Sequence, residues 1–269
     1  MSQAQENNDD FWLLLDYEAA TRNVVWLYTG ADESDGNYYG VTADLVIFEP
    51  VFFNLSATKQ NYSTQSTDLS WGFSGVIDDV FSWGISKAFW GEKETLEKDD
   101  VRLTLGYLNG GFSTQASYEE GEIKLFLIDS MILQRDSIIT DHRAFQLSLA
   151  YHWTQIYGQI SHKHHNYNKD LFLLSRAPRL RFIFKPVSVQ QASALAETES
   201  SVLLGFQASD TSYEAHLSRI KSAVTTDINT YATLRLIKEL NSQLQLGFEV
   251  ELPVDDVPFG AGVSLGLMW

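Results

Sequence analysis

Hydrophobic and polar positions alternate with period two along nearly the whole chain. That is the signature of strands whose two faces meet different surroundings, because successive side chains point to opposite sides. The last segment is the clearest: Phe259, Ala261, Val263, Leu265, Leu267 and Trp269 share one face, and Gly260, Gly262, Ser264, Gly266 and Met268 the other. Leu244, Leu246, Phe248, Val250 and Leu252 oppose Gln245, Gly247, Glu249 and Glu251 in the same way, and residues 145–153, 38–47 and 51–58 repeat the split. Further matches begin at Leu69, Phe81, Val101, Phe112, Leu180, Val202, Tyr213 and Ala232, while residues 151–165 fit one long strand or two short ones equally. Helical spacing is confined to residues 187–200. Short polar turns such as Glu49-Pro50, Asn109-Gly110-Gly111 and Ser209-Asp210-Thr211 separate the segments, with longer connections at 91–99, 130–142 and 187–200. Turns of this length join antiparallel neighbours, so the strands form an up-and-down meander.

Alternation alone does not separate a soluble sandwich from a membrane barrel. The make-up of the polar face decides, since it is rich in Gly, Ser, Thr, Gln and Ala rather than in Lys and Glu. Such a face suits a crowded, wet barrel interior. The apolar stripes run over about 9–11 residues, the length a tilted strand needs to cross a bilayer. Trp26, Tyr28, Trp71, Trp83, Trp90, Tyr107, Tyr151 and Trp153 recur near stripe ends, where amphipathic rings favour the headgroup level. The expected fold is therefore all-β, a closed antiparallel transmembrane barrel. About 17 segments can be counted, and an even number is usual, so about 16 strands are expected, with 14 or 12 as alternatives.

Composition narrows the function. The chain of 269 residues carries 35 acidic against 19 basic residues, a formal net charge of −16, which excludes nucleic acid because phosphate binding needs a basic face. Cysteine is absent, removing disulfides, thiolate metal sites and Cys nucleophiles together. The first residues have neither a basic nor an apolar signal region, so any secretion signal is expected to have been removed already.

Residues 259–269 resemble the C-terminal strand of Gram-negative outer-membrane β-barrel proteins, which alternate apolar residues outward and end on an aromatic. Trp269 stands where Phe is commoner, and Leu267 where an aromatic is frequent. The resemblance implies an outer-membrane, multi-pass location. It implies that Phe259, Val263, Leu265, Leu267 and Trp269 form the signal read by the barrel-assembly machinery. It also divides the chain into a periplasmic tail over 1–10 and one barrel domain over 11–269. Short turns counted from the N-terminal end place the N-terminus outside, whereas counting back from Trp269 places both ends in the periplasm. A miscounted strand in 129–178 reconciles the two.

Chemistry-bearing clusters are few. His162-Lys163-His164-His165 has His, the commonest metal ligand, but no acid within four residues and faces that alternate, so no metal or other cofactor is expected. Asp141-His142 is similar to the Asp-His pair of omptin-class proteases, yet Asp78-Asp79 and Asp255-Asp256 are the only acidic pairs available to complete it. No catalytic residue is assigned. The inward charges say more. Asp16, Glu18, Glu214, Glu249 and Glu251 gather on strands near the closing seam, and Arg102, Lys124, Arg179, Arg181 and Lys185 on the far wall. The expected function is a channel passing or exporting polar solutes between opposed acidic and basic walls. The alternatives are a non-conducting scaffold that docks a periplasmic or surface protein, and an outer-membrane enzyme. Membrane lipid is the one partner every version requires.

Overall fold

The computed structural model describes residues 22–33, 36–61, 65–92, 96–129, 135–171, 180–181, 195–252, 254 and 259–269. Its strands are β1 (Val24–Asp32), β2 (Asn37–Phe48), β3 (Val51–Asn61), β4 (Gln65–Ile77), β5 (Phe81–Glu92), β6 (Leu96–Asn109), β7 (Phe112–Asp129), β8 (Arg135–Trp153), β9 (Ile156–Tyr167), β10 (Leu180–Arg181), β11 (Ala196–Ala208), β12 (Thr211–Ser222), β13 (Ile228–Asn241), β14 (Leu244–Leu252) and β15 (Gly260–Met268). Apart from the two-residue β10, which extends β7 at Ile128 and Asp129, each long strand pairs antiparallel with both neighbours. The pairing of β1 with β15 closes the ring, so the fold is a 14-stranded barrel. Closure leaves no unpaired strand edge, the condition for a sheet to sit in hydrocarbon.

The count of about 16 is thus corrected to its alternative of 14. Two of the expected connections are largely strand: residues 135–142 belong to β8 and 96–99 to β6. The segment at Leu180 contributes only β10, and the expected first strand carrying Asp16 and Glu18 lies outside the described residues, as do 187–194 of the expected helix. Its remainder opens β11. Residues 151–165 split in two at Thr154-Gln155, Thr154 having φ +51°.

The tight turns collect at one end. Between β6 and β7 the two turn residues are Gly110 (φ +57°) and Gly111 (φ +86°), the left-handed pair that a two-residue hairpin of right-twisted strands demands. A Cβ on Gly111 would lie 2.6 Å from the His152 carbonyl oxygen, so Gly is required there twice over. The entry to β1 and the end of β15 meet at the same rim, where the Asn23 N–H donates to the Trp269 carbonyl at 3.0 Å and the Trp269 N–H to that of Asn23 at 3.1 Å. The barrel thus closes on the tight-turn side, which in outer-membrane barrels is the periplasmic side.

An apolar belt girds the outside: Leu27, Trp71, Leu105, Phe145, Leu204, Leu234 and Val263 are all exposed. Trp71, Tyr107, Tyr151 and Trp153 also face out, whereas Tyr28 and Trp90 are buried inside, and Trp26 shares Tyr28's face. On the loop side β6 to β9 continue past the belt, and their outer faces turn polar with Glu97, Asp99, Glu120, Asp141, Arg143 and His164.

Candidate functional site

Above the belt, the inner faces of β6 to β11 carry a buried layer of charge. Glu119 on β7 sits among three cations: Lys163 Nζ at 2.9 Å, Lys98 Nζ at 3.0 Å and Arg102 Nη2 at 3.1 Å. Lys98 also reaches Asp100 Oδ2 at 2.8 Å. Strand parity explains the clustering, since Lys98, Asp100 and Arg102 are alternate residues of one strand and so share its inner face. From Asp100 a second line of contacts runs round the wall. Asp100 Oδ1 is 3.0 Å from His142 Nδ1, His142 Nε2 is 2.8 Å from His165 Nδ1, and His165 Nε2 is 2.5 Å from Glu199 Oε1. Burial, with Lys98 adding to it, holds the His142 imidazole below its usual range. Burial pushes His165 down to about 4, against the opposing pull of Glu199. Both rings lie beyond the lipid belt, on strands whose outer residues there are Asp141, Arg143 and His164.

An apolar cap covers this layer on the loop side. Trp90, Leu96, Ile123 and Leu125 from the wall pack with Leu171, Leu195 and Val224 from the connections, and Tyr167 packs against the group. The Tyr167 ring lies 5.3 Å from that of His142 and 6.4 Å from that of His165, so cap and charged layer share a side chain. Its O–H donates to the Ala196 carbonyl at 2.6 Å.

Toward the periplasmic side the wall from β2 to β7 differs. A cavity of about 100 Å³ runs along it, lined by Ser56, Ser70, Ser82, Ser86, Thr104 and Gln115 among others, and none of these six side chains has a hydrogen-bond partner among the described residues. Gly72 and Gly84 keep it open. Elsewhere the inner polar groups engage one another: Tyr157 with Ser212 and Glu214, each at 2.9 Å, Ser161 with Ser201 at 2.7 Å, and Tyr28 with Thr58 at 2.5 Å. Small inward residues on β4 and β5 thus leave a hydroxyl-lined trench, whereas Tyr157, Glu214 and Arg235 on the opposite wall are tied to one another or to neighbours.

Of the residues expected on the acidic wall, Glu214 and Glu249 are buried on the inner face and Glu251 shares the face of Glu249. Arg235, between them, lies 2.9 Å from Glu249 and 3.6 Å from Glu214. Of the basic set, Arg102 faces inward onto Glu119, and Arg181 is described only by its backbone, opposite Ile128. Asp16, Glu18, Arg179 and Lys185 lie outside the described residues, as do Asp255 and Asp256. Lys124 is corrected. It is exposed on the outer face, 3.8 Å from Glu97 and 4.7 Å from the Phe126 ring centroid, because Ile123 and Leu125 turn inward into the cap.

Glu214 and Glu249 thus share Arg235 on their own wall, and Arg102 has Glu119 on its own. Phe259, Val263, Leu265, Leu267 and Trp269 all face outward. Asp141 and His142 face opposite ways, Asp141 outside and His142 fully buried, so they cannot act as a pair. Asp100, Glu119 and His142 offer three ligand atoms within 4.8 Å of one another, but the Lys98 ammonium already occupies the cation's place between the two carboxylates. The reading from sequence missed Lys98, Glu119, Lys163 and Glu199. Period-two parity at Lys98-Asp99-Asp100 was the available signal.

No protein-family model matches the chain, and no curated protein matches it in sequence. Solved structures do match in fold. The chain is similar to the NanC porin (8% identity, TM-score 0.50, 91% of this chain and 98% of that one). It is similar to a loop-deletion mutant of OmpT, an outer membrane protein of Vibrio cholerae (10% identity, TM-score 0.51, 92% and 98%). It also resembles the CymD monoaromatic hydrocarbon channel (8% identity, TM-score 0.51, 96% and 91%). The chain therefore shares its fold, a closed antiparallel β-barrel with an apolar outer belt, with these outer-membrane porins and channels.

Proposed function

We propose that the protein is a porin-like channel for small polar solutes, which move along the trench between β2 and β7, and that the structure is its closed state. The observation that carries this is the convergence of six unpartnered polar side chains on one cavity. Groups that make no bond to the protein are bonded by whatever fills the lumen, water or solute. The cavity of about 100 Å³ is roomy enough for several waters, since one water needs roughly 10–15 Å³ of such space, so a small hydrated solute fits the trench. The charged layer and the apolar cap then form the gate. A dry apolar constriction stops water, and with it solute, without a tight steric seal. Charge selectivity is weak, because the charged residues lining the trench are one acid, Asp44, and one base, Arg102.

Gly84 provides the test. A Cβ there meets nothing closer than 3.6 Å, so Gly84→Phe fits the wall and projects into the trench. Liposomes holding the wild type should admit glycerol and swell, and the variant should slow this at least tenfold while remaining heat-modifiable. Equal rates would remove the trench as the path. The second reading, a scaffold barrel that conducts nothing, is favoured by the cap itself. It predicts no swelling in either.

A further inference from the structure

The outer surface of β9, β11 and β12 changes character along one row of paired residues. Ser200 on β11 pairs with His162 on β9 and with Arg219 on β12, and one step toward the loops Thr198 pairs with His164 and Lys221. Strand parity turns these side chains outward, and His162, His164, Ser200 and Arg219 are exposed. One step in the other direction the row is Ile160, Val202 and Leu217, all exposed and all part of the apolar belt. Neighbouring strands lie about 4.8 Å apart, so the His column and the Arg-Lys column stand roughly 10 Å apart with two hydroxyls between them.

The cations here are matched differently from those on the neighbouring wall. On β5 to β8 each outward cation near the loops has a carboxylate: Lys87 has Asp99, Lys124 has Glu97 and Arg143 has Glu120. Lys221 likewise has Glu197, at 2.7 Å. Arg219 and His164 have neither a hydrogen-bond nor an ionic partner among the described residues, and His162 meets Ser200, Nδ1 lying 2.9 Å from Oγ. A guanidinium, two imidazoles and two hydroxyls are thus gathered on one strip of a chain whose net charge is −16. A guanidinium fork engages two phosphate oxygens at once. We propose that this strip binds the phosphate of a membrane-lipid headgroup, with the lipid's acyl chains lying along Ile160, Val202 and Leu217. Arg219 holds the phosphate, and the ring and hydroxyl groups beside it donate to the remaining oxygens. A free anion would need the upper rows alone. The apolar row that follows on the same three strands suits an amphiphile, and this continuity favours a lipid as the source of the phosphate. The inference rests on the belt sitting in lipid and not on conduction.

The full chain, refolded in neutral detergent micelles, is titrated with dioctanoyl phosphatidic acid, and bound lipid is counted by native mass spectrometry. Dioctanoylglycerol, with the same chains and no phosphate, and inorganic phosphate serve as the comparison ligands. Wild type should bind phosphatidic acid about tenfold more tightly than dioctanoylglycerol, and Arg219→Gln should remove that advantage, the effect of losing a hydrogen bond to a charged group. Arg219 is exposed and unpaired among the described residues, so the variant should remain heat-modifiable. Lys87→Gln removes the same charge from β5 and should bind as the wild type does. Equal binding by wild type and Arg219→Gln, equal weakening by Lys87→Gln, or equal uptake of dioctanoylglycerol would overturn the proposal. Displacement of the lipid by an equal concentration of inorganic phosphate would overturn it in favour of a free-anion site. Binding that depends on Arg219 in a barrel that never conducts would sustain it and sink the channel instead.

Discussion

Replacing Glu119 with Gln keeps the shape of the side chain and removes the charge on which three buried cations converge. Glu119 is 3% exposed, and Lys98, Arg102 and Lys163 lie 2.9 to 3.1 Å from its oxygens. A glutamine oxygen can still accept from one of them, but its amide N–H₂ is turned toward another cation, and the repulsion among the three ammonium and guanidinium groups is no longer offset at its centre. Breaking a buried ion pair by removing one partner costs about 3–5 kcal/mol. The pair is multiple here, so the upper half of that range is expected. The assay is equilibrium urea unfolding of barrel refolded in detergent micelles at pH 6.5, followed by tryptophan fluorescence. Lys221→Gln is the control, since its bridge to Glu197 is 2.7 Å long but over a third exposed on both sides, and such a pair contributes about 0–1 kcal/mol. A loss below about 1 kcal/mol for Glu119→Gln, no larger than the control, would refute the idea that this carboxylate organises the layer.

The faces of β13 offer a second check, because Arg235 is native on the inner side and Leu234 next to it is 47% exposed on the outer: Leu234→Arg should cost about 2–4 kcal/mol in bilayer refolding, and a negligible cost would mean that this stripe is not in lipid. Deleting residues 259–269 removes the strand that pairs with both β1 and β14 and opens the ring, so the product should be degraded in the periplasm and never become heat-modifiable; normal insertion would contradict both closure and the expected role of Phe259 to Trp269 in assembly.

The barrel was legible in the sequence because lipid imposes a simple rule, apolar outside and small or polar inside, on every strand that crosses it. In β15 that rule reads without error from Phe259 to Trp269. It fails where the strands leave the bilayer. At Ile123 and Leu125 the apolar residues turn inward to make the cap and Lys124 turns out to water, which inverts the pattern without changing its period. An alternating segment cannot say which of its faces meets lipid, and for that reason Lys124 was expected in the lumen and Trp90 and Tyr28 at the interface. The strand count suffered likewise, because residues 135–142 have polar outer positions that look like a loop. The charged layer was half visible. Arg102 was expected inside, and Glu214, Glu249 and Glu251 too, but which charges meet across β6 to β11 depends on strand register. Lys163 touches Glu119 only because β7, β8 and β9 bring Glu119, Ala144 and His165 level. Nothing in a single sequence encodes that stagger.

Single-channel recording in planar bilayers, wild type against Leu125→Ser, asks whether this barrel is a channel held shut at its loop end by an apolar cap over a charged layer. Leu125 is buried in the cap and does not line the trench, so its hydroxyl counterpart should wet the constriction and leave the path intact. Rare, brief openings are expected in the wild type, and openings of the same unit conductance at least ten times as frequent in the variant. A silent bilayer with both proteins, each shown to be folded and inserted, would contradict it.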